Sequence, residues 1–198
     1  MNKTISKEEF NKIMKTEGEV LGAAIQEFKD FIAEDRGARG VEELEEAIVS
    51  LGYLKIKEIR KNRFYPIGLY TVVLLIIKEL FDYDDKKFEE IGKFNAKLSV
   101  IIRLFMRFFV SLKRAAEVVP RMWKKYYTIG NLEVVEINEE ERFVALRLKN
   151  FSLHPLHCLI QKGYFSTILQ IIVKAPISCD QVKCTHRGDD YHEFLMKW

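Results

Sequence analysis

Apolar positions along the chain change their period once, near Gly130, and that change separates two kinds of element. Before it the spacing is helical. Val20, Leu21, Ala24, Ile25, Phe28, Phe31 and Ile32 recur at helical intervals, and the run stops at Gly37. A second helix is predicted over 41–51, stopping at Gly52. Residues 53–64 are ambiguous by pattern, because Leu54, Ile56 and Glu58 alternate only weakly with lysines. Pro66 stands where a helix can begin, and the apolar run behind it predicts a buried helix to about Phe81. Asp84 or Asp85 can cap the next helix, through Phe88, Ile91 and Phe94. A long helix is then expected to carry Leu98, Ile101, Ile102, Phe105, Phe108, Phe109 and Leu112, and Pro120 to open a short helical turn bearing Met122 and Trp123.

After Gly130 the period is two. Leu132, Val134 and Glu136 alternate with Glu133, Val135 and Ile137; a turn over 138–141 leads into a second alternating run over 143–149, so the pair reads as a hairpin. A helix follows from about Pro155 to Lys174, interrupted or closely packed at Gly163. The last hairpin is expected from strands over 178–186 and 190–198, turning at Arg187, Gly188 and Asp189. The fold class is therefore α+β: N-terminal helices packed on a small antiparallel sheet made of two C-terminal hairpins. With no Pro/Gly/Ser linker, residues 1–198 read as one domain, with a helical part over 1–130 and a hairpin–helix–hairpin part over 131–198.

Composition narrows the classes. A chain of 198 residues with 48% hydrophobic content can bury a sizeable core, and 31% charged residues keep it soluble. The net charge of +3 is small, and the densest basic patch (Lys55, Lys57, Arg60, Lys61, Arg63) is short, so a solvated face is expected and no nucleic-acid partner. The polar N-terminus lacks a signal-peptide core, and the most apolar stretch, 67–77, is too short to span a bilayer. Three cysteines without a framework spacing suit a reducing compartment, and the cytoplasm is the expected location.

Motifs for chemistry are missing: there is no phosphate loop, dinucleotide glycine fingerprint, G-x-S-x-G elbow or H-E-x-x-H. The carboxylates over 42–46 and 139–141 suit surface faces, and the stripe Phe94, Phe105, Phe108, Phe109 suits a core. No enzyme is expected. The last forty-five residues, in contrast, hold all four histidines (His154, His157, His186, His192) and all three cysteines (Cys158, Cys179, Cys184). These are the donors of a structural zinc, which needs four ligands in a tetrahedron. Cys184 and His192 can face each other across the last hairpin only if its loop is odd, as a three-residue turn at 187–189 would be. Strict alternation then sets Asp180, Val182, Cys184 and His186 on one face and Cys179 on the other. Cys158, Cys184 and His192, completed by Asp180 or His186, are thus candidate ligands of one structural zinc, which would weaken as pH falls because it needs thiolate and neutral imidazole; the alternative is that the cysteines pack as small buried hydrophobes.

The ending G-Y-F-S-T-I-L, then Q-V-K-C-T-H-R-G-D-D-Y-H-E-F-L-M-K-W, resembles the close of 4-vinyl-reductase domains, with Cys158 before Gly163 standing at the position of that family's first cysteine. The segment V-V-P-R-M-W-K-K-Y-Y-T-I-G-N-L-E-V-V-E resembles the stretch entering its first hairpin. G-E-V-L-G-A-A-I-Q-E-F-K-D-F-I-A-E-D-R-G-A-R-G-V-E-E-L and F-Y-P-I-G-L-Y resemble a related haem-NO-binding-like family. The resemblance implies a fold shared with haem NO/O₂ sensors and vesicle-tethering transport-particle subunits, with helices on a small sheet around an apolar cavity. It also implies a zinc held at Cys158, Cys184 and His192, the histidine standing where the family has a cysteine, while Asp180 and Gln181 both lie near the family's acidic ligand. Haem is not expected, because no histidine precedes His154 and the Y-x-S-x-R motif of the haem sensors is missing.

The expected function follows: a small-molecule-binding sensor domain, its apolar or aromatic ligand lined by Trp123, Phe105 and Phe109, signalling through a partner by a shifted equilibrium. The competing expectation is an adaptor subunit with a filled or lipid-occupied cavity. Pairing through the helices 41–51 or 67–81 predicts a homodimer.

Overall fold

The computed structural model describes residues 5–98 and 111–198, and in it the chain divides into two compact units. The first holds Met1–Lys87 with Tyr126–Thr128, the second Phe88–Lys125 with Ile129–Trp198. The segment Phe88–Lys125 thus clusters with the hairpins, not with the helices before it.

The first unit contains α1 (Lys7–Met14), β1 (Glu19–Leu21), α2 (Gly22–Ser50), a 3-10 turn (Ile56–Glu58), β2 (Phe64–Pro66) and α3 (Ile67–Phe81). Ser6 caps α1 by accepting the Glu9 N–H at 3.1 Å. The helix expected from Val20 begins two residues later, because Glu19–Leu21 is extended and pairs antiparallel with Phe64–Pro66. That pairing also settles the ambiguous stretch, which becomes the 3-10 turn followed by β2. Gly22 sits where the chain crosses itself: a methyl group there would strike the Arg60 carbonyl. The stop expected at Gly37 is a kink instead. Gly37 adopts φ 69° and ψ −167°, and helix resumes behind it. α3 begins behind Pro66 as its pattern predicts and is buried almost throughout, with Leu69, Val73 and Leu74 fully enclosed beside Ile25, Phe28 and Ile32 of α2 among the unit's core residues.

The second unit contains most of α4 (Asp85–Leu98) and α5 (Leu112–Tyr126), then β3 (Asn131–Asn138), β4 (Phe143–Lys149), α6 (Pro155–Val173), β5 (Ser178–Lys183) and β6 (His192–Lys197). Asp84 caps α4 by accepting the Lys87 N–H. Pro120 does not open a helix; it lies inside α5, where the missing N–H removes one bond of the helix ladder without ending it. The helix expected to carry Phe105 and Phe109 lies outside the described residues. Both expected hairpins form, and β4 joins β6, giving one antiparallel sheet in the order β3-β4-β6-β5. Val144, Leu146 and Leu148 of β4 pair with Met196, Phe194 and His192 of β6, and all six are buried. This row is the face that α6 covers, with Phe165 set edge-on to Phe194 at 5.3 Å.

Gly163 is a close approach, not an interruption. A methyl group on it would strike the Glu89 carbonyl, and one on Gly92 would strike that of Ile160, so α4 and α6 pack backbone to backbone through a reciprocal glycine pair. Lys162 and Glu89 close the contact at 2.8 Å. α6 is long and apolar enough to cross a bilayer by length and composition, and half of it is buried in the protein.

Candidate metal centre

Three elements of the second unit converge at one end of the sheet. Pro155 at the first position of α6, with His154 as cap accepting the Leu156 N–H at 3.2 Å, sets the first turn so that Cys158 is buried. The alternation of β6 places His192 on the buried face opposite Leu148, at 1% exposure. Cys184 ends the extended segment of β5.

What brings Cys184 inward is a bulge. Along Cys179, Asp180 and Gln181 the partners are Met196, Leu195 and Phe194, but Lys183 pairs with Glu193, so Val182 is an extra residue. Carried one residue on, the shifted register sets Cys184 opposite His192; the unshifted one would have set it opposite Tyr191. The odd register that the site requires is therefore made by the bulge. The turn itself is wider than three residues: a 3-10 turn over Thr185–Arg187 closes on Gly188 at φ 94°, and the Cys184 N–H donates to Asp189 at 2.7 Å.

Cys158 Sγ lies 3.9 Å from Cys184 Sγ and 3.7 Å from His192 Nδ1. A tetrahedral zinc with ordinary bond lengths sets two sulfurs about 3.8 Å apart, and sulfur and nitrogen about 3.5 Å apart. Cys158, His192 and His186 offer donor atoms all within 4.8 Å of one another, so this group could hold a metal ion, with Cys184 beside it. The bulge changes the fourth expected ligand. Asp180 and Val182 are exposed, whereas Cys179, Gln181 and Cys184 turn inward to differing depths. The structure therefore brings His186 to the cluster and leaves Asp180 on the outer side of β5. Cys179, His154 and His157 stand apart: Cys179 is a buried thiol, His154 is the helix cap, and His157 packs edge-on to Phe151 at 6.1 Å.

Residues outside the expected set hold the candidate donors in place. His192 Nε2 is 2.7 Å from the Phe151 carbonyl and 3.0 Å from Thr185 Oγ1, and Gln181 Nε2 lies 3.0 Å from Nδ1. A carbonyl can only accept, so Nε2 carries the hydrogen and Nδ1 keeps its lone pair, the tautomer that a metal requires. Nothing in the sequence flags a backbone carbonyl. Gln181, which the resemblance places with Asp180 near that family's acidic ligand, is the one of the two that the bulge leaves on the inner side of β5. Burial pushes the His192 and His186 imidazoles down, and pushes the Cys158 thiol up to about 11, with Gln181 opposing and Cys184 adding to the rise. These shifts favour a protonated Cys158 and neutral His186 and His192 rings as long as no metal is bound.

Of the expected ligand-lining residues, Trp123 is buried against Phe151 at 5.0 Å, and its indole N–H donates to the Ile129 carbonyl at 2.9 Å. Gly130 makes room for it, since a Cβ there would press on the indole nitrogen. Phe105 and Phe109 fall outside the described residues.

No protein-family model matches the chain, and no curated protein matches it. Solved structures do. An H-NOX protein from S. oneidensis in the Fe(II)NO ligation state aligns with a TM-score of 0.69 at 14% identity, covering 89% of this chain and 97% of that one. The Fe(II) unliganded H-NOX protein from K. algicida aligns at 0.61 and 14%, covering 89% and 95%. A point mutant of the T. Tengcongensis H-NOX protein aligns at 0.63 and 13%, covering 89% and 96%. The chain has the haem-NO-binding-like fold.

Proposed function

We propose that this chain is a small-molecule-binding sensor domain of haem-NO-binding-like fold whose sheet unit is fastened by one structural zinc, held by Cys158, Cys184, His192 and His186. The observation that carries this reading is the spacing of the donors from Cys158, 3.9 Å to Cys184 and 3.7 Å to His192, with His192 already fixed in the ligating tautomer. Four protein ligands fill a tetrahedron and leave no open position for a reactive water, so the metal would fasten and not catalyse. It would tie the start of α6, the β5–β6 turn and β6 together. The sensor would work by ligand binding energy shifting an equilibrium that a partner or a second copy of the chain reads. A zinc held by free thiolates suits a reducing compartment, which supports the cytoplasm.

The S. oneidensis neighbour is in an Fe(II)NO state, which raises haem as a ligand for this chain's residues. Every histidine and cysteine lies at or beyond His154. His192 stands in β6 within the Cys/His cluster, and His157 is buried and pushed down to about 3. The described helices α1 to α5 therefore offer neither imidazole nor thiolate to an iron, and the residues do not fit a haem ligated in either way.

Metal analysis of the purified protein, with native mass spectrometry, tests the reading. One zinc per chain, lost in Cys158→Ser and His192→Ala, is the expected result. A chain that carries no zinc and takes none from a competing dye would overturn the metal reading, and a Soret band after haemin addition would overturn the exclusion of haem. The same native spectrum reports a retained small molecule and the homodimer expected from the sequence.

A further inference from the structure

The His192 nitrogen that faces the cysteines has two claimants. Its ring donates from Nε2 to the Phe151 carbonyl at 2.7 Å, so the lone pair lies on Nδ1, the nitrogen 3.7 Å from Cys158 Sγ. The Gln181 carboxamide nitrogen lies 3.0 Å from the same Nδ1. A nitrogen that keeps its lone pair can only accept, so the carboxamide donates, and its NH₂ end is the one turned to the ring. An imidazole nitrogen has a single lone pair, in the plane of the ring. A zinc takes that lone pair at about 2.0 Å, along the direction a hydrogen bond also prefers. With the amide nitrogen at 3.0 Å, metal and amide would then stand only about 1 Å apart. They exclude each other.

The root of Gln181 is fixed, and only its head can give way. Its backbone lies opposite Phe194 in the β5–β6 ladder, and Arg187 Nη2 donates to its carbonyl at 2.8 Å. Gln181 is also the last residue of β5 before the register shifts at the bulge. The residue is half-buried, so the carboxamide keeps a solvent side into which it can turn without moving the strand. Turned end for end in place, it would instead offer an oxygen to the metal, but carboxamide oxygen is not among the usual donors of zinc.

We propose that Gln181 is a built-in competitor of the metal: its carboxamide holds the His192 lone pair until a metal displaces it, and so lowers the affinity of the centre and ties its occupancy to the position of this one side chain on β5. The inference deepens the metal reading and rests on it. Every binding event breaks one hydrogen bond that the free protein makes. Removing the competitor in advance removes that cost, so loss of the side chain tightens binding, which is the reverse of what loss of a ligand or of a bracing contact does. The net worth of one neutral hydrogen bond corresponds to about two- to tenfold in affinity.

The test is competition for zinc with a chelating dye, using the full chain as wild type, as Gln181→Leu, which keeps bulk without a donor, and as Gln181→Ala. Binding about two- to tenfold tighter in both variants is the expected result. Equal or weaker binding in both, with zinc bound by the wild type, overturns the competitor and leaves the metal reading standing. Zinc binding by none of the three chains overturns both. Nitrogen NMR of the wild type needs no substitution and reads the contact itself. In chelator the scalar coupling across the hydrogen bond from Gln181 Nε2 to His192 Nδ1 should be present, and it should vanish as zinc is added. A coupling that persists with zinc bound, or that is missing in chelator, overturns the displacement.

Discussion

The Cys/His cluster of the sheet unit and the half-buried Glu27 of the helical unit differ in how their surroundings hold their polar atoms. At the cluster the neighbours brace the donors: the Phe151 carbonyl fixes the His192 tautomer, the bulge at Val182 turns Cys184 inward, and the Asp189 carboxylate holds the Cys184 backbone. Glu27, in contrast, accepts no hydrogen bond among the described residues, and burial pushes its carboxyl up to about 8. Braced soft donors suit a metal, whereas a carboxyl raised by burial makes stability depend on pH, and experiment can separate the two.

The largest effect is expected from removing the metal. With free zinc at a thousand times its Kd, binding to the folded state alone contributes about 4 kcal/mol. Denaturant unfolding with and without a strong chelator should show a loss of that order in the wild type and no response to chelator in Cys158→Ser or Cys184→Ser. Glu27→Gln should respond to chelator as the wild type does. A chelator response surviving in Cys158→Ser would break the assignment of the cluster as the metal's site.

A change of about 2 kcal/mol is expected from Gly163→Ala, since the added methyl must push α4 and α6 apart in a core that resists overpacking. Because Gly163 lies beyond Cys158 on α6, the metal should still bind. Unfolding of Gly163→Ala in chelator and in zinc should therefore show a lower baseline and an unchanged metal increment.

Glu27→Gln should stabilise the free protein, and the sign follows from linkage. The folded carboxyl titrates at about 8, well above its ordinary value of 4.5, so between these pH values the folded state holds a proton that the unfolded chain has lost. Stability of the wild type therefore falls as pH rises through that window and levels off above it. The gap in favour of Glu27→Gln should be near zero at pH 4 and grow to the order of 2 kcal/mol by pH 8, below the full linkage value because the side chain keeps some contact with water. A pH-independent gap would contradict a raised Glu27 carboxyl in the folded protein.

The two regions also differ in how far the sequence discloses them. The cluster draws on residue types that are rare here, gathered in forty-five residues, so type and position together point to it. The sheet was legible in the same way, because the alternation of Val144, Leu146 and Leu148 against Phe194 and Met196 is strict. The contact of Tyr70 with Tyr127 draws on a common residue type at distant positions, and the bridge between Val20 and Tyr127 helps to set it. No local period records that bridge. The short strand at Glu19–Leu21 was hidden for the same reason: its residues fit the helical spacing of α2, and the pairing with Phe64–Pro66 outweighs it. Pro120 misled in the other direction, since a proline is a strong local signal that α5 overrides.

The smallest expected effect decides the fourth ligand and depends on the bulge alone. Strict alternation would turn Asp180 and Cys184 to the same side of β5, and a carboxylate there would complete the set with two sulfurs and one imidazole. The extra residue at Val182 breaks that relation: Val182 stands 48% exposed, Asp180 faces outward with it, and the inward position falls to Gln181. His186, carried by the 3-10 turn, reaches within 4.8 Å of both Cys158 and His192 instead. Asp180→Asn should therefore leave zinc affinity, read by competition with a chelating dye, where it stands in the wild type. His186→Ala should weaken it while leaving one metal per chain at saturation, because a water can take the vacated position beside three remaining protein ligands. That variant would turn a closed site into an open one, visible by cobalt substitution as a change in the visible absorption of the metal. A loss of affinity in Asp180→Asn, with His186→Ala silent, would mean that β5 runs without its bulge in solution, and the inward path of Cys184 would then need another cause.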